Sequence, residues 1–143
     1  MAFSPDGTRL ATGDFEGVVE IWNAWTGEKL LSLPRQVSYI YWVAFSPDGS
    51  LLATASGDGI ARLWDASSGV ERLTLRGHTG DVESVIFSPD GARLATASTD
   101  GTARVYLLKI DELIELARSR LTRSFTTEEC QKYLHMEQCP AER

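Results

Sequence analysis

The five residues Phe-Ser-Pro-Asp-Gly occur three times, at Phe3–Gly7, Phe45–Gly49 and Phe87–Gly91, so successive copies start at residues 3, 45 and 87, a period of 42. The regularity extends past the pentapeptide: Phe45 to Trp64 and Phe87 to Tyr106 share 14 of 20 positions. A fixed period of this length marks an array of supersecondary units, each too small to bury its own apolar face. That repeat organises everything before residue 108. Met1 stands where the other copies have Val43 and Val85, which reads as an array cut into by truncation rather than begun.

Within each copy the local chemistry alternates between turns and strands. In Ser-Pro-Asp-Gly, Pro presets φ, Asp bonds its own backbone and Gly accepts positive φ. Strands are expected at Arg9 to Thr12, Leu51 to Ala55 and Arg93 to Ala97. Glu16-Gly17, Asp58-Gly59 and Asp100-Gly101 follow, and Asp-Gly is a strong signal for a tight hairpin. Alternating apolar and polar residues then predict strands at Val18 to Trp22, Ile60 to Trp64 and Thr102 to Tyr106. A second turn leads to Glu28 to Leu33 and Glu71 to Leu75, and the approaches Tyr39 to Phe45 and Val82 to Phe87 are β-rich. Four short antiparallel strands per period describe a propeller blade. The expected fold is therefore all-β: a partial β-propeller of about two and a half to three four-stranded antiparallel blades over residues 1–107.

Composition restricts the function classes. A net charge of -6 argues against binding nucleic acid by bulk charge, which needs clustered Lys and Arg. No apolar run reaches the ~20 residues of a membrane helix, and no secretory signal opens the chain. Two cysteines close together near the end are no disulfide framework, so a reduced, cytoplasmic setting is expected.

Leu75-Arg76-Gly77-His78, Phe87-Ser88-Pro89-Asp90-Gly91, Asp100-Gly101 and Arg62-Leu63-Trp64-Asp65 together resemble the WD-repeat (tryptophan–aspartate repeat) β-propeller family. The resemblance implies a hydrogen-bonded tetrad of the Gly-His histidine, a second-strand hydroxyl, the hairpin Asp and the third-strand Trp. Carried over, the third copy offers His78, Ser98, Asp100 and Tyr106, with Tyr in place of Trp. The middle copy offers Ser56, Asp58 and Trp64, with Gln36 in the histidine position. The first copy, with Asp14, Glu16, Trp22 and Asn23, departs further. Such a set satisfies buried polar groups. A hydrolase triad is not expected from it, because no oxyanion hole is evident. The chain is read as no enzyme and as needing no cofactor.

The link between the first and second copies departs most from the pattern, and in the family such links lie on the face that most often meets partners. Arg35, Gln36, Tyr39, Arg76 and Asp81 are the candidate partner-binding residues, since Tyr and Arg are enriched at binding hot spots. Trp42 is expected to pack between blades, because it precedes apolar Val43; Tyr39 stays open between packing and partner contact.

After Leu108 the pattern changes. Ile110, Leu113, Ile114, Ala117 and Leu121 recur at helical spacing, and Thr126-Thr127-Glu128-Glu129 matches a capping box. A C-terminal helical hairpin is expected over residues 108–143. Leu116 to Arg123 and Glu129 to Pro140 resemble the C-terminal ends of large bacterial proteins that place a signal-transducing NTPase or other effector module ahead of a WD-repeat array. Cys130, His135 and Cys139 lack a shared helix face and a fourth ligand, so no metal site is expected. The function expected is a non-catalytic scaffold presenting loop faces to a protein partner, at the end of a bacterial signalling or sensor protein. The alternative is a partial propeller that closes a ring as a homo-oligomer, or an array completed by missing N-terminal blades.

Overall fold

The computed structural model describes residues 1–108, which fall in a compact unit spanning Met1–Lys109. The expected helical hairpin, and with it Cys130, His135 and Cys139, lies outside the described residues. Among the described residues eleven strands form three antiparallel sheets, each strand pairing with its sequence neighbour. The first blade holds β1 (Ala2–Phe3), β2 (Arg9–Gly13), β3 (Val19–Asn23) and β4 (Lys29–Ser32). The second holds β5 (Ile40–Phe45), β6 (Leu51–Ser56), β7 (Ala61–Asp65) and β8 (Glu71–Leu75). The third holds β9 (Val82–Phe87), β10 (Arg93–Ser98) and β11 (Ala103–Leu107). Strand bounds match the sequence reading to within about one residue because the turn residues between them are unambiguous.

The repeated pentapeptide builds the same turn three times. Ser4 Oγ donates to Asp6 Oδ1 at 2.6 Å and accepts from Arg9 N at 2.9 Å, while Asp6 Oδ1 also accepts from Thr8 N. Ser46 and Asp48 repeat this bonding, as do Ser88 and Asp90. The closing glycines Gly7, Gly49 and Gly91 sit at φ of 70°, 70° and 67°, a region any Cβ disfavours. Accepting these bonds pulls the carboxyls of Asp6 and Asp48 down to about 2, the serine hydroxyls being the largest cause.

The core lies between blades. Ala11, Val19, Ile21 and Leu33 of the first blade meet Val43, Leu52 and Trp64 of the second. On the opposite face of the second blade, Ala53, Ala61, Leu63 and Leu75 meet Val82, Val85, Phe87 and Leu94. The middle blade thus presents small residues on one face and larger ones on the other, as side chains alternate across its sheet. Burying a Leu or Val in this way contributes about 1.5–3 kcal/mol, so the doubly covered middle blade is the best anchored. Arg9 reinforces the first junction: it donates to Gly49 O (2.6 Å) and Ala66 O (3.2 Å), with its guanidinium 5.1 Å from the Phe45 ring centre. No helix among the described residues is long and apolar enough to cross a membrane.

Candidate functional site

Two features concentrate polar and aromatic side chains: a buried polar slot in the middle and third blades, and an aromatic strip across the links.

In the third blade, His78 hangs from the β8–β9 link and inserts into the sheet. Its Nδ1 lies 2.9 Å from Asp100 Oδ2 and its Nε2 2.8 Å from Thr96 Oγ1. The hydroxyl in this network is therefore Thr96, and the expected Ser98 is displaced from it. Register shifts between Ala97 and Ser98, and Ser98 Oγ instead accepts from Asp100 N at 3.1 Å, closing the hairpin. Ser56 likewise accepts from Asp58 N rather than joining the slot. Tyr106 occupies the corner expected of Trp, but its buried hydroxyl has no hydrogen-bond partner. Asp100 is held well below the usual carboxylate range, first by the Thr102 hydroxyl and then by His78 and the Thr79 amide, against the opposing pull of burial.

The middle blade fills the same slot without an imidazole. Gln36 Oε1 accepts from Thr54 Oγ1 (3.1 Å) and from Arg62 Nη1 (3.1 Å), and Arg62 Nη2 donates to Asp58 Oδ2 at 2.6 Å. Trp64 Nε1 donates to Thr54 Oγ1 at 3.2 Å, completing a chain from Asp58 to Trp64. Gln36 is only 5% exposed, which removes it from the partner-binding candidates. Its position in the departing link suggested an outward role, but an amide that serves two buried donors must point in. Sequence reasoning missed Arg62; its signal was an Arg four residues after Asp58 in the copy that lacks His. In the first blade, Trp22 Nε1 donates to Thr12 Oγ1 (3.0 Å) and Asp14 Oδ1 caps the hairpin amides of Glu16 and Val18.

The aromatic strip runs along the links. Phe15 from the β2–β3 hairpin meets Tyr39 edge-on at 5.7 Å between ring centres, and Tyr39 meets Tyr41 edge-on at 6.4 Å. Tyr41 OH then donates to Asp81 Oδ2 at 3.0 Å, which pushes the phenol upward from its ordinary value. Tyr41 is aimed outward because β5 bulges: Ile40 pairs with Ser56 and Trp42 with Ala55, leaving Tyr41 as the extra residue. Phe15 is 72% and Tyr39 51% exposed. Arg35 frames one end, donating to Glu16 O at 2.8 Å, and is exposed, as is Arg76. Trp42 was expected to pack and is instead half exposed. Among the described residues no group of His, Cys, Asp and Glu is disposed to hold a metal ion.

Three stacked antiparallel sheets of this kind define part of a β-propeller. The WD domain, G-beta repeat, matches residues 1–23, 27–65 and 69–106, and the chain belongs to the WD-repeat family. A WD repeat-containing protein of Nostoc sp. (strain PCC 7120), designated alr3466 and described as uncharacterized, is 48% identical over 40 residues. That stretch is 28% of this chain and 3% of the Nostoc protein, so the match samples a small part of a much longer relative. WD repeats are generally non-enzymatic interaction scaffolds, and the three blades here carry that architecture.

Proposed function

We propose that this chain is a non-catalytic interaction module whose link face, centred on Phe15, Tyr39 and Tyr41, receives a protein partner. The observation that carries this reading is the exposed aromatic strip. The three rings meet edge-on in sequence, Phe15 to Tyr39 to Tyr41, all of them exposed, and a contiguous exposed aromatic patch is what a binding surface needs. Arg35 and Asp81 flank it with charges of opposite sign, suited to orienting a partner. The sequence resemblance of residues 116–140 and the great length of the Nostoc relative support a place at the end of a bacterial signalling or sensor protein.

Affinity capture on immobilised full-length chain, with Tyr39→Ala as the paired bait, tests the reading. We expect a captured protein to be lost from the variant while its melting temperature stays within about 2 °C of the parent, as for an exposed substitution. Undiminished capture, or a melting temperature that collapses alongside it, overturns the assignment.

A further inference from the structure

The two outward faces of the array carry the two halves of a blade junction that the chain already makes twice internally. The small-residue half is Ala11, Val19 and Ile21 in the first blade and Ala53, Ala61 and Leu63 in the second, all buried by the next blade. The same positions in the third blade are Ala95, Ala103 and Val105, one or two periods on. There Val105 is 67% exposed, whereas its counterpart Leu63 is 3% exposed. The large-residue half is Val85, Phe87 and Leu94 in the third blade, where it fills the second junction. In the first blade these positions are Met1, Phe3 and Leu10, and Phe3 is 65% exposed.

An independent polar feature matches the same pair of faces. Arg9 clamps the first junction through the Phe45 ring, Gly49 O and Ala66 O. In the second blade Arg9's position is Leu51, which packs against the second core cluster instead. In the third blade the position returns to arginine, Arg93, which is exposed and whose guanidinium bonds no described residue. The receptors of Arg9 recur one period earlier as Phe3, Gly7 and Ala24, identical in residue type. The last blade thus carries the clamp, and the first blade carries its seat.

We propose that the third blade's outer face docks the first blade of a second copy of this chain, head to tail, with Arg93 over Phe3 and bonded to the carbonyls of Gly7 and Ala24. The contact is heterologous: each copy offers one face of each kind, so association proceeds to a ring if the rotation closes. The described sheets of two copies number six, within the range in which propellers close. The apolar match supplies the attraction and the arginine fixes the register, as both do inside the chain. This inference does not rest on the aromatic strip, which lies on the links and not between blades.

Light scattering after size exclusion of the full chain tests it. The wild type should run at a multiple of its 15.7 kDa mass at about 100 µM, a concentration that detects even weak association. Phe3→Asp and Val105→Asp each spoil one face, and both substituted positions are exposed, so each variant should fold and run as a monomer. Mixed in equal amounts they should recover a 1:1 dimer and nothing larger, since one intact face remains on each. Arg93→Glu should weaken wild-type association about tenfold or more. A wild type that stays monomeric overturns the proposal, as does a mixture that does not pair. A monomeric wild type destabilised by Val105→Asp would assign the face to residues 110–143 of the same chain; one unaffected by it would assign the face to blades from another source. Single variants that still dimerise would replace head-to-tail docking with a symmetric contact.

Discussion

The middle and third blades enclose one polar slot with two sets of residues. In the third blade a single imidazole spans from Asp100 to Thr96. In the middle blade that span takes two side chains, Gln36 on the Thr54 side and Arg62 on the Asp58 side. Arg62 and Arg104 hold the same register position, opposite Thr54 and Thr96 respectively. Arg62 is drawn into the slot, while Arg104 stays exposed with its guanidinium over Gly77. The difference teaches that one carboxylate–hydroxyl span can be bridged in two ways, and that whichever residue the link supplies decides whether the strand arginine is recruited.

Substitutions can break this comparison. The largest asymmetry is expected for the arginines. Arg62→Leu strands a mostly buried Asp58, leaves Gln36 Oε1 with Thr54 alone, and should cost about 3 kcal/mol. Arg104→Leu should stay within about 0.5 kcal/mol, the usual range for an exposed site. Urea unfolding of both variants checks this, and equal losses would refute the recruitment argument.

Next, His78→Leu should cost about 2 kcal/mol by leaving Asp100 and Thr96 without their bridge. His78→Gln should recover more than half of that loss if Arg104 swings in as Arg62 does. The double variant His78→Gln, Arg104→Leu should remove the recovery, measured as a non-additive coupling.

A smaller gain is expected from Tyr106→Trp. The present phenol leaves a buried hydroxyl unpartnered, whereas Trp64 and Trp22 donate to the equivalent threonines. Supplying an indole N–H to Thr96 should stabilise by about 1 kcal/mol, read from the same unfolding curves.

The smallest effect concerns acid. Asp6 and Asp48 have their carboxyls lowered from 3.8 to about 2 in the folded chain. A depressed folded value means that each turn contributes stability above about pH 4 that is lost as pH falls toward 2. Asp48→Asn should flatten the fall in melting temperature between pH 5 and pH 2, without altering the neutral-pH curve shape. A steeper fall in the variant would contradict the sign.

Several parts of this site were legible before any coordinates. The pentapeptide turn is decided by bonds between residues two and five apart, so composition and order suffice. The strands follow from alternation, and the His78–Asp100 pair is what the resemblance to WD repeats implies. The hydroxyl did not follow. Thr96 and Ser98 lie two apart and share a strand face, and only the bulge after Ala97 moves Ser98 into the hairpin. Gln36 was read as partner-facing because its link is irregular, yet two buried donors needed its oxygen. Phe15 went unnoticed, since a lone aromatic in a hairpin carries no signal until Tyr39 lies against it.

By itself the sequence determined the period, the turns and strands, and hence a stack of WD-type blades, because those depend on short-range backbone preferences and alternation. The tertiary structure alone decided which side chains close each slot, which arginine is drawn in, and that a bulge lines up Phe15, Tyr39 and Tyr41. These depend on distances between residues up to 40 apart in the chain, set only when neighbouring blades bury each other's faces.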